Sequence, residues 1–230
     1  MTTDIKERCR ELLGLLNKYS DCWGCGEVIK DPNLLVPDPF NPGQFKSFCP
    51  TCKRETTRHL FPPKNLTSVF EMIAESAEMN RPILVLVLSC TVFETMVEDL
   101  VLRLLEKRHT YPEICEAVID ATDYRSKMRI IETITGKKPK RLAKSAGYDK
   151  LMGTLEAIKS KRNSFLHTGV AMKVEMVEFK FDKRYTFPKH KELDEEDIKQ
   201  ALDFTIDTIN LFAKLYTQFG KYIYMDESDY

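Results

Sequence analysis

Two Cys-x-x-Cys pairs, Cys22/Cys25 and Cys49/Cys52, stand 23 residues apart in a stretch where helix is all but forbidden. Seven of the chain's eleven prolines fall within residues 32–63. Proline lacks a backbone donor and clashes with the preceding helical turn, so short strands and turns must carry residues 21–63. Such a segment buries little apolar surface of its own. Each Cys-x-x-Cys turn can fold over so that two thiolates face one point, and two such turns close a tetrahedron around one zinc ion. Gly24 and Gly26 ease the backbone around the first pair. Four thiolates leave no open position for water, so Cys22, Cys25, Cys49 and Cys52 are expected to hold a structural zinc that supplies folding energy. His59, seven residues past Cys52, is not expected to be a ligand. The competing readings, ordinary buried cysteines or a redox pair, each leave one of the two pairs to be explained separately.

The other three cysteines, Cys9, Cys90 and Cys115, are scattered among helical patterns. An odd count with four thiols in metal-type pairs fits a reducing compartment, so a cytoplasmic setting is expected and the sequon at Asn65 carries no meaning there. Residues 1–20 lack the apolar run of a secretory signal. The most apolar stretch, 83–88, is soon followed by Glu94 and Glu98 and is too short to span a bilayer, so no membrane association is expected.

Outside the proline-rich segment the apolar residues recur at helical spacing. Residues 4–19 read as an amphipathic helix, and 66–79, 82–108, 112–121, 125–135, 148–166 and 194–219 as further helices. Pro82 suits a first helical turn, Gly169 suits a stop, and Asp194, Glu195 and Glu196 suit the N-terminal end of the last helix. In 172–187 the period shifts to alternation, which predicts a small hairpin or an extended arm. Hydrophobic residues make up 43% of the chain and charged residues 30%, enough for a sizeable core. The expected fold class is mainly α: a helical bundle with a small N-terminal zinc-ribbon module. The expected organisation is an N-terminal helix at 1–20, the module at 21–63 and a helical domain at 64–225.

The second constellation is Arg162-Asn163-x-x-x-His167, at the end of a predicted helix whose buried face carries Leu151, Leu155 and Ile158. Arg162 falls four residues after Ile158, on the same stripe. A charge there must snorkel out, meet a carboxylate or line an interface. His167 is about 140° further around a regular helix, at ~100° per residue. The two side chains converge only if the last turn is distorted or a second chain contributes. This string resembles the Arg-x(4–6)-His signature of the HEPN superfamily, and residues 92–98, with Glu94, look like that family's first core helix. The resemblance covers roughly 66–224 and leaves the cysteine module outside it.

The resemblance implies a homodimer that cleaves RNA without a catalytic metal. His167 would move protons, Arg162 would hold the scissile phosphate, Asn163 would orient the phosphate or the histidine, and Glu94 would fix Arg162 by a salt bridge. It also implies a toxin or antiviral effector with an antitoxin or regulatory partner. Read without it, His167 is a helix-end residue capping carbonyls, Asn163 solvates the helix, and Glu94 divides evenly between site and solvent. The rival functions are a non-catalytic dimerisation or binding domain with a recognising zinc ribbon, and a zinc-containing regulator without RNA contact.

Formal net charge is zero, with 35 basic and 35 acidic residues, so any RNA contact must come from a local patch. The densest basic run is Lys137, Lys138, Lys140, Arg141 and Lys144. It is either a solvated loop or, if it meets Lys159, Lys161 and Arg162, a track for an RNA backbone. Trp23, Phe40, Phe45 and Phe48 either stack bases or form the module's small core.

Overall fold

The computed structural model describes residues 2–16, 19–21, 28–29, 35–37, 45–49, 51–53, 55–56, 59–61, 66–106, 111–168, 172–179 and 182–220. Helix α1 (Thr3–Gly14) is followed by six short strands: β1 (Tyr19–Asp21), β2 (Val28–Ile29), β3 (Leu35–Pro37), β4 (Phe45–Phe48), β5 (Glu55–Thr56) and β6 (His59–Phe61). The chain then continues through α2 (Thr67–Glu78), α3 (Pro82–Glu106), α4 (Pro112–Ala121), α5 (Tyr124–Thr135), α6 (Pro139–Ser145) and α7 (Leu151–Thr168). A hairpin of β7 (Met172–Phe179) and β8 (Asp182–Glu192) precedes α8 (Glu195–Gly220). The fold is mainly helical, as expected. None of the helices, among the described residues, is long and apolar enough to cross a membrane.

The six short strands form two antiparallel sheets, ordered β2-β1-β6 and β3-β4-β5. In the β1/β2 ladder Asp21 faces Val28, and in the β4/β5 ladder Phe48 faces Glu55. Cys49 and Cys52 therefore fall in the connection between the paired strands β4 and β5. Cys22 and Cys25 themselves lie outside the described residues, as do the side chains of Trp23, Phe40, Phe45 and Phe48.

Helix α3 is the axis of the bundle, packing against α2, α4, α5, α7 and α8. Val85, Leu86, Cys90, Val92, Phe93, Met96, Val97, Leu100, Val101 and Leu104 are all buried, so its apolar surface wraps most of the circumference. Phe93 stands at the centre, with its ring centroid 5.8 Å from those of Phe204 and Phe212 and 6.4 Å from Tyr124. The α8 stripe of Leu202, Ile206, Ile209, Phe212, Leu215 and Tyr216 is buried as its periodicity predicts. Two polar side chains trapped between α3 and α8, Ser89 and Thr205, satisfy each other. The Ser89 hydroxyl lies 2.8 Å from that of Thr205 and 3.3 Å from the Ala201 carbonyl. At the other end of the contact the Tyr216 hydroxyl donates to Asp99, which also accepts from Arg103 Nε at 2.9 Å. The Arg103 guanidinium sits 4.4 Å from the centroid of the Tyr216 ring.

The ends of the helices follow from local chemistry. Asp123 caps α5 by accepting from the Ser126 N–H at 2.8 Å, and Gly136 ends it at φ 68°. Asp194 accepts from the Asp197 N–H, while the Asp197 carboxylate accepts from the Asp194 N–H at 2.9 Å, a reciprocal box that starts α8. The basic run, open between loop and track, contains α6. Pro139 fits its first turn, and only Leu142 and Ala143 are buried. The alternating segment is a hairpin rather than an arm, with Met172 opposite Glu192 and a register shift at Glu178/Phe179.

Truncating Phe93 to alanine is expected to cost about 3–5 kcal/mol, because the cavity opens among three other rings. Tyr216→Phe, which removes a single bond to a charged acceptor, is expected to cost about 1.5–3 kcal/mol. Urea denaturation midpoints measure both, and the order Phe93 above Tyr216 is the expected outcome.

Candidate functional site

On α7, Leu151, Leu155 and Ile158 are buried, and Arg162 continues their stripe toward α3. The charge on this stripe is met by a carboxylate. Arg162 Nη1 lies 3.4 Å from Glu94 Oε1, and Lys159 Nζ lies 3.1 Å from the same oxygen. The Lys159 ammonium also rests 3.4 Å from the centroid of the Tyr124 ring, at the start of α5. Arg162 Nε donates to Asn163 Oδ1 at 3.4 Å, and Asn163 is exposed. The Lys159 and Arg162 side chains are 19% and 21% exposed, so solvent screens this cluster less than an ordinary surface pair.

Two neutral groups frame the ions. Burial pushes the Cys90 thiol up to about 11, one helical turn before Glu94, with Arg162 acting in the opposite direction. Burial also raises the Tyr124 phenol to about 12, reinforced by Glu94 and Glu156. Both groups are uncharged near neutral pH. Glu94 thus faces two cations, Lys159 and Arg162, and Glu156 is a second carboxylate close enough to act on Tyr124.

The residues singled out by sequence divide into three groups. Glu94, Arg162 and Asn163 come together. Position 167 lies on α7, which stays helical through Thr168, so no distortion of the last turn brings it toward Arg162; the His167 side chain lies outside the described residues. Cys49 and Cys52 form a tight turn, described below. Sequence reasoning missed the placement of Lys159 and Tyr124. Lys159 precedes Arg162 by three residues and so shares its helix face, which was the available signal. Lys159 and Lys161, of the second basic cluster, each have partners within the bundle. Lys159 is spent on Glu94 and Tyr124, and Lys161 on the buried Asp197 at 2.7 Å and on Gln200 at 2.8 Å.

In the β4/β5 loop, Cys49 is buried and its sulfur accepts from the Cys52 N–H at 3.4 Å. The Lys53 N–H closes the turn onto the Cys49 carbonyl at 2.9 Å, with Lys53 at φ 60°. An amide donor aimed at a cysteine sulfur is the outer-sphere contact that suits a metal-bound thiolate. Among the described residues no group of three or more Cys, His, Asp or Glu side chains surrounds a common point; Cys22 and Cys25 are not among them.

No protein-family model matches the chain, and no curated protein or solved structure matches it.

The shared carboxylate is open to a direct test. A double-mutant cycle of Glu94→Gln with Arg162→Gln is expected to give a coupling energy of about 1 kcal/mol in chemical denaturation. A coupling indistinguishable from zero would mean that the pair does not form in solution.

Proposed function

We propose that the chain is a metal-independent endoribonuclease of HEPN type, acting as a homodimer through Arg162 and His167. The observation that carries this reading is the Glu94–Arg162–Lys159 cluster. It holds an arginine on an otherwise buried stripe, fixed by a carboxylate from the neighbouring helix.

The chemistry follows from the residue types. The ribose 2′-oxygen attacks the adjacent phosphorus and the bond to the 5′-oxygen breaks. His167 takes the 2′-hydroxyl proton and returns it to the departing 5′-oxygen. Arg162 holds and neutralises the phosphate as charge builds on it. Asn163 orients the phosphate or the histidine, and Glu94 positions Arg162. The products are a 2′,3′-cyclic phosphate and a 5′-hydroxyl. Along a regular helix, positions 162 and 167 are about 140° apart, at ~100° per residue, which favours a site assembled from two chains. A role as toxin or antiviral effector, under an antitoxin or other regulatory partner in the cytoplasm, rests on the family resemblance alone. The competing reading is a non-catalytic dimer in which the same cluster only ties α3 to α7.

The test uses RNAs of varied sequence and structure, without added metal and with EDTA at a level that leaves bound zinc in place. Wild type is expected to cleave, and Arg162→Ala and His167→Ala to lose at least about 100-fold. Co-expressing the two variants separates the geometries. If each site draws on both chains, the mixed dimer recovers one complete site; if each chain works alone, it recovers none. Equal cleavage by all proteins, or none by wild type on any RNA, leaves the non-catalytic dimer.

We also propose that Cys22, Cys25, Cys49 and Cys52 hold one structural zinc ion in a ribbon-type module. The spacing of the two pairs in the sequence, and the N–H···S contact of Cys52 with Cys49 in the β4/β5 turn, support this. Bound there, zinc would fold the module and take no part in cleavage. Metal analysis is expected to find about one zinc per chain, falling to background in Cys49→Ser. Wild-type protein purified under reducing conditions without zinc would overturn the assignment.

A further inference from the structure

Charge is unevenly placed along this neutral chain. Residues 137–150 hold six of the 35 basic residues, Lys137, Lys138, Lys140, Arg141, Lys144 and Lys150, and only one of the 35 acidic ones, Asp149. All six cations are exposed. None of them joins an ion pair among the described residues, whereas Lys127, Lys159, Lys161 and Arg162 each have a carboxylate partner. Lys214 of α8 adds another positive charge beside them. Its ammonium donates to the Ala146 carbonyl at 2.9 Å and lies 4.8 Å from the centroid of the Tyr148 ring, and among the described residues it joins no ion pair.

The stretch is rigidly mounted. Pro139 and Leu142 face Phe93, Val97, Leu211 and Phe212 around a small apolar void, and Ala143 is buried beside them. The end of α6 is closed by Gly147 N–H to Lys144 O at 3.0 Å and Tyr148 N–H to Ala143 O at 2.8 Å, with Gly147 at φ 90°. Lys140, Arg141 and Lys144 are thereby held outward. Lys144 suits the last turn of α6, but Lys137 and Lys138 precede its N-terminal end, where the peptide dipoles disfavour positive charge.

We propose that α6 and the turn after it form a docking surface for the phosphate backbone of single-stranded RNA. Three features select this partner. A row of uncompensated cations gains affinity by displacing counterions from a polyanion, with no apolar contact required. Among the described residues the exposed large apolar side chains are Leu13, Met72, Met79, Leu84, Tyr111 and Ile114, and none lies within 137–150. The surface therefore lacks the apolar anchor that a protein interface centres on, and the one that a membrane-lying helix inserts. Finally, Leu151 begins α7 beside this surface, and Arg162 lies eleven residues along, about 16 Å at ~1.5 Å per residue, within reach of a short run of nucleotides. The choice of partner rests on the RNA reading above; the surface itself is read from charge and burial.

The probe is a fluorescent 2′-O-methyl RNA, which lacks the 2′-hydroxyl nucleophile, so that binding is read apart from cleavage. Anisotropy is followed from low to physiological salt for wild type and for the triple variant Lys140→Gln/Arg141→Gln/Lys144→Gln, with circular dichroism to verify its fold. The slope of log Kd against log salt is expected to become shallower by about 2, from roughly 0.7 per phosphate contact removed. An unchanged slope in a folded variant overturns the proposal. So does a loss of binding to phosphatidylserine vesicles or polyglutamate while RNA binding is kept, which would assign the surface to a membrane or an acidic protein. Cleavage of unmodified RNA by wild type with an unchanged slope removes this proposal alone. A shallower slope with no cleavage removes the nuclease reading alone.

Discussion

Helix α3 is apolar around most of its circumference and must be covered on nearly every side. That requirement organises the bundle. Phe93 and its neighbouring rings draw α5 and α8 inward, and Leu151, Leu155 and Ile158 bring α7 alongside. Where the apolar surface gives out, the few polar residues of α3 become the places at which helices are keyed to one another. Ser89 meets Thr205, Asp99 meets Tyr216 and Arg103, Glu98 meets Lys127 at 2.5 Å, and Glu94 meets Lys159 and Arg162. Apolar packing supplies the drive, and these polar contacts select which face and register it adopts, since a misplaced neighbour would strand a half-buried polar group.

The candidate site is one of these keys, distinguished by imbalance. The Asp99 and Glu98 contacts match one carboxylate to one cation. Glu94 faces two, flanked by a thiol and a phenol that burial keeps neutral. The imbalance belongs to the packed structure, because Lys159 is turned toward Glu94 by the ring of Tyr124.

Much of the bundle was legible in the sequence because the helices are long and strongly periodic. On α7 the predicted stripe of Leu151, Leu155 and Ile158 is the one found buried. The charge of Arg162 on a buried stripe pointed to a partner, and the polar edge of α3 offered Glu94. Less was legible where tertiary contact decides the outcome. Lys159 read as part of a surface run, since nothing local shows that Tyr124 and Glu94 converge on it. Helix α6 was hidden because seven residues with two apolar anchors have no helical stability of their own. Lys53 follows Cys52 as Gly26 follows Cys25, yet only the structure shows a left-handed backbone at Lys53, a conformation that favours glycine.

The contact between Lys161 and Asp197 has a topological consequence. It staples the later part of α7 to the first turn of α8, the two helices that flank the β7/β8 hairpin. The strands thus form a closed excursion whose two ends are fastened at the base by a buried carboxylate, itself held by the Asp194 backbone. Because the cost of closing a loop grows only logarithmically with its length, such an excursion can lengthen, shorten or change sequence with little effect on the bundle. The hairpin is in this sense an interchangeable appendage, free to diverge while the helices beneath it stay constrained.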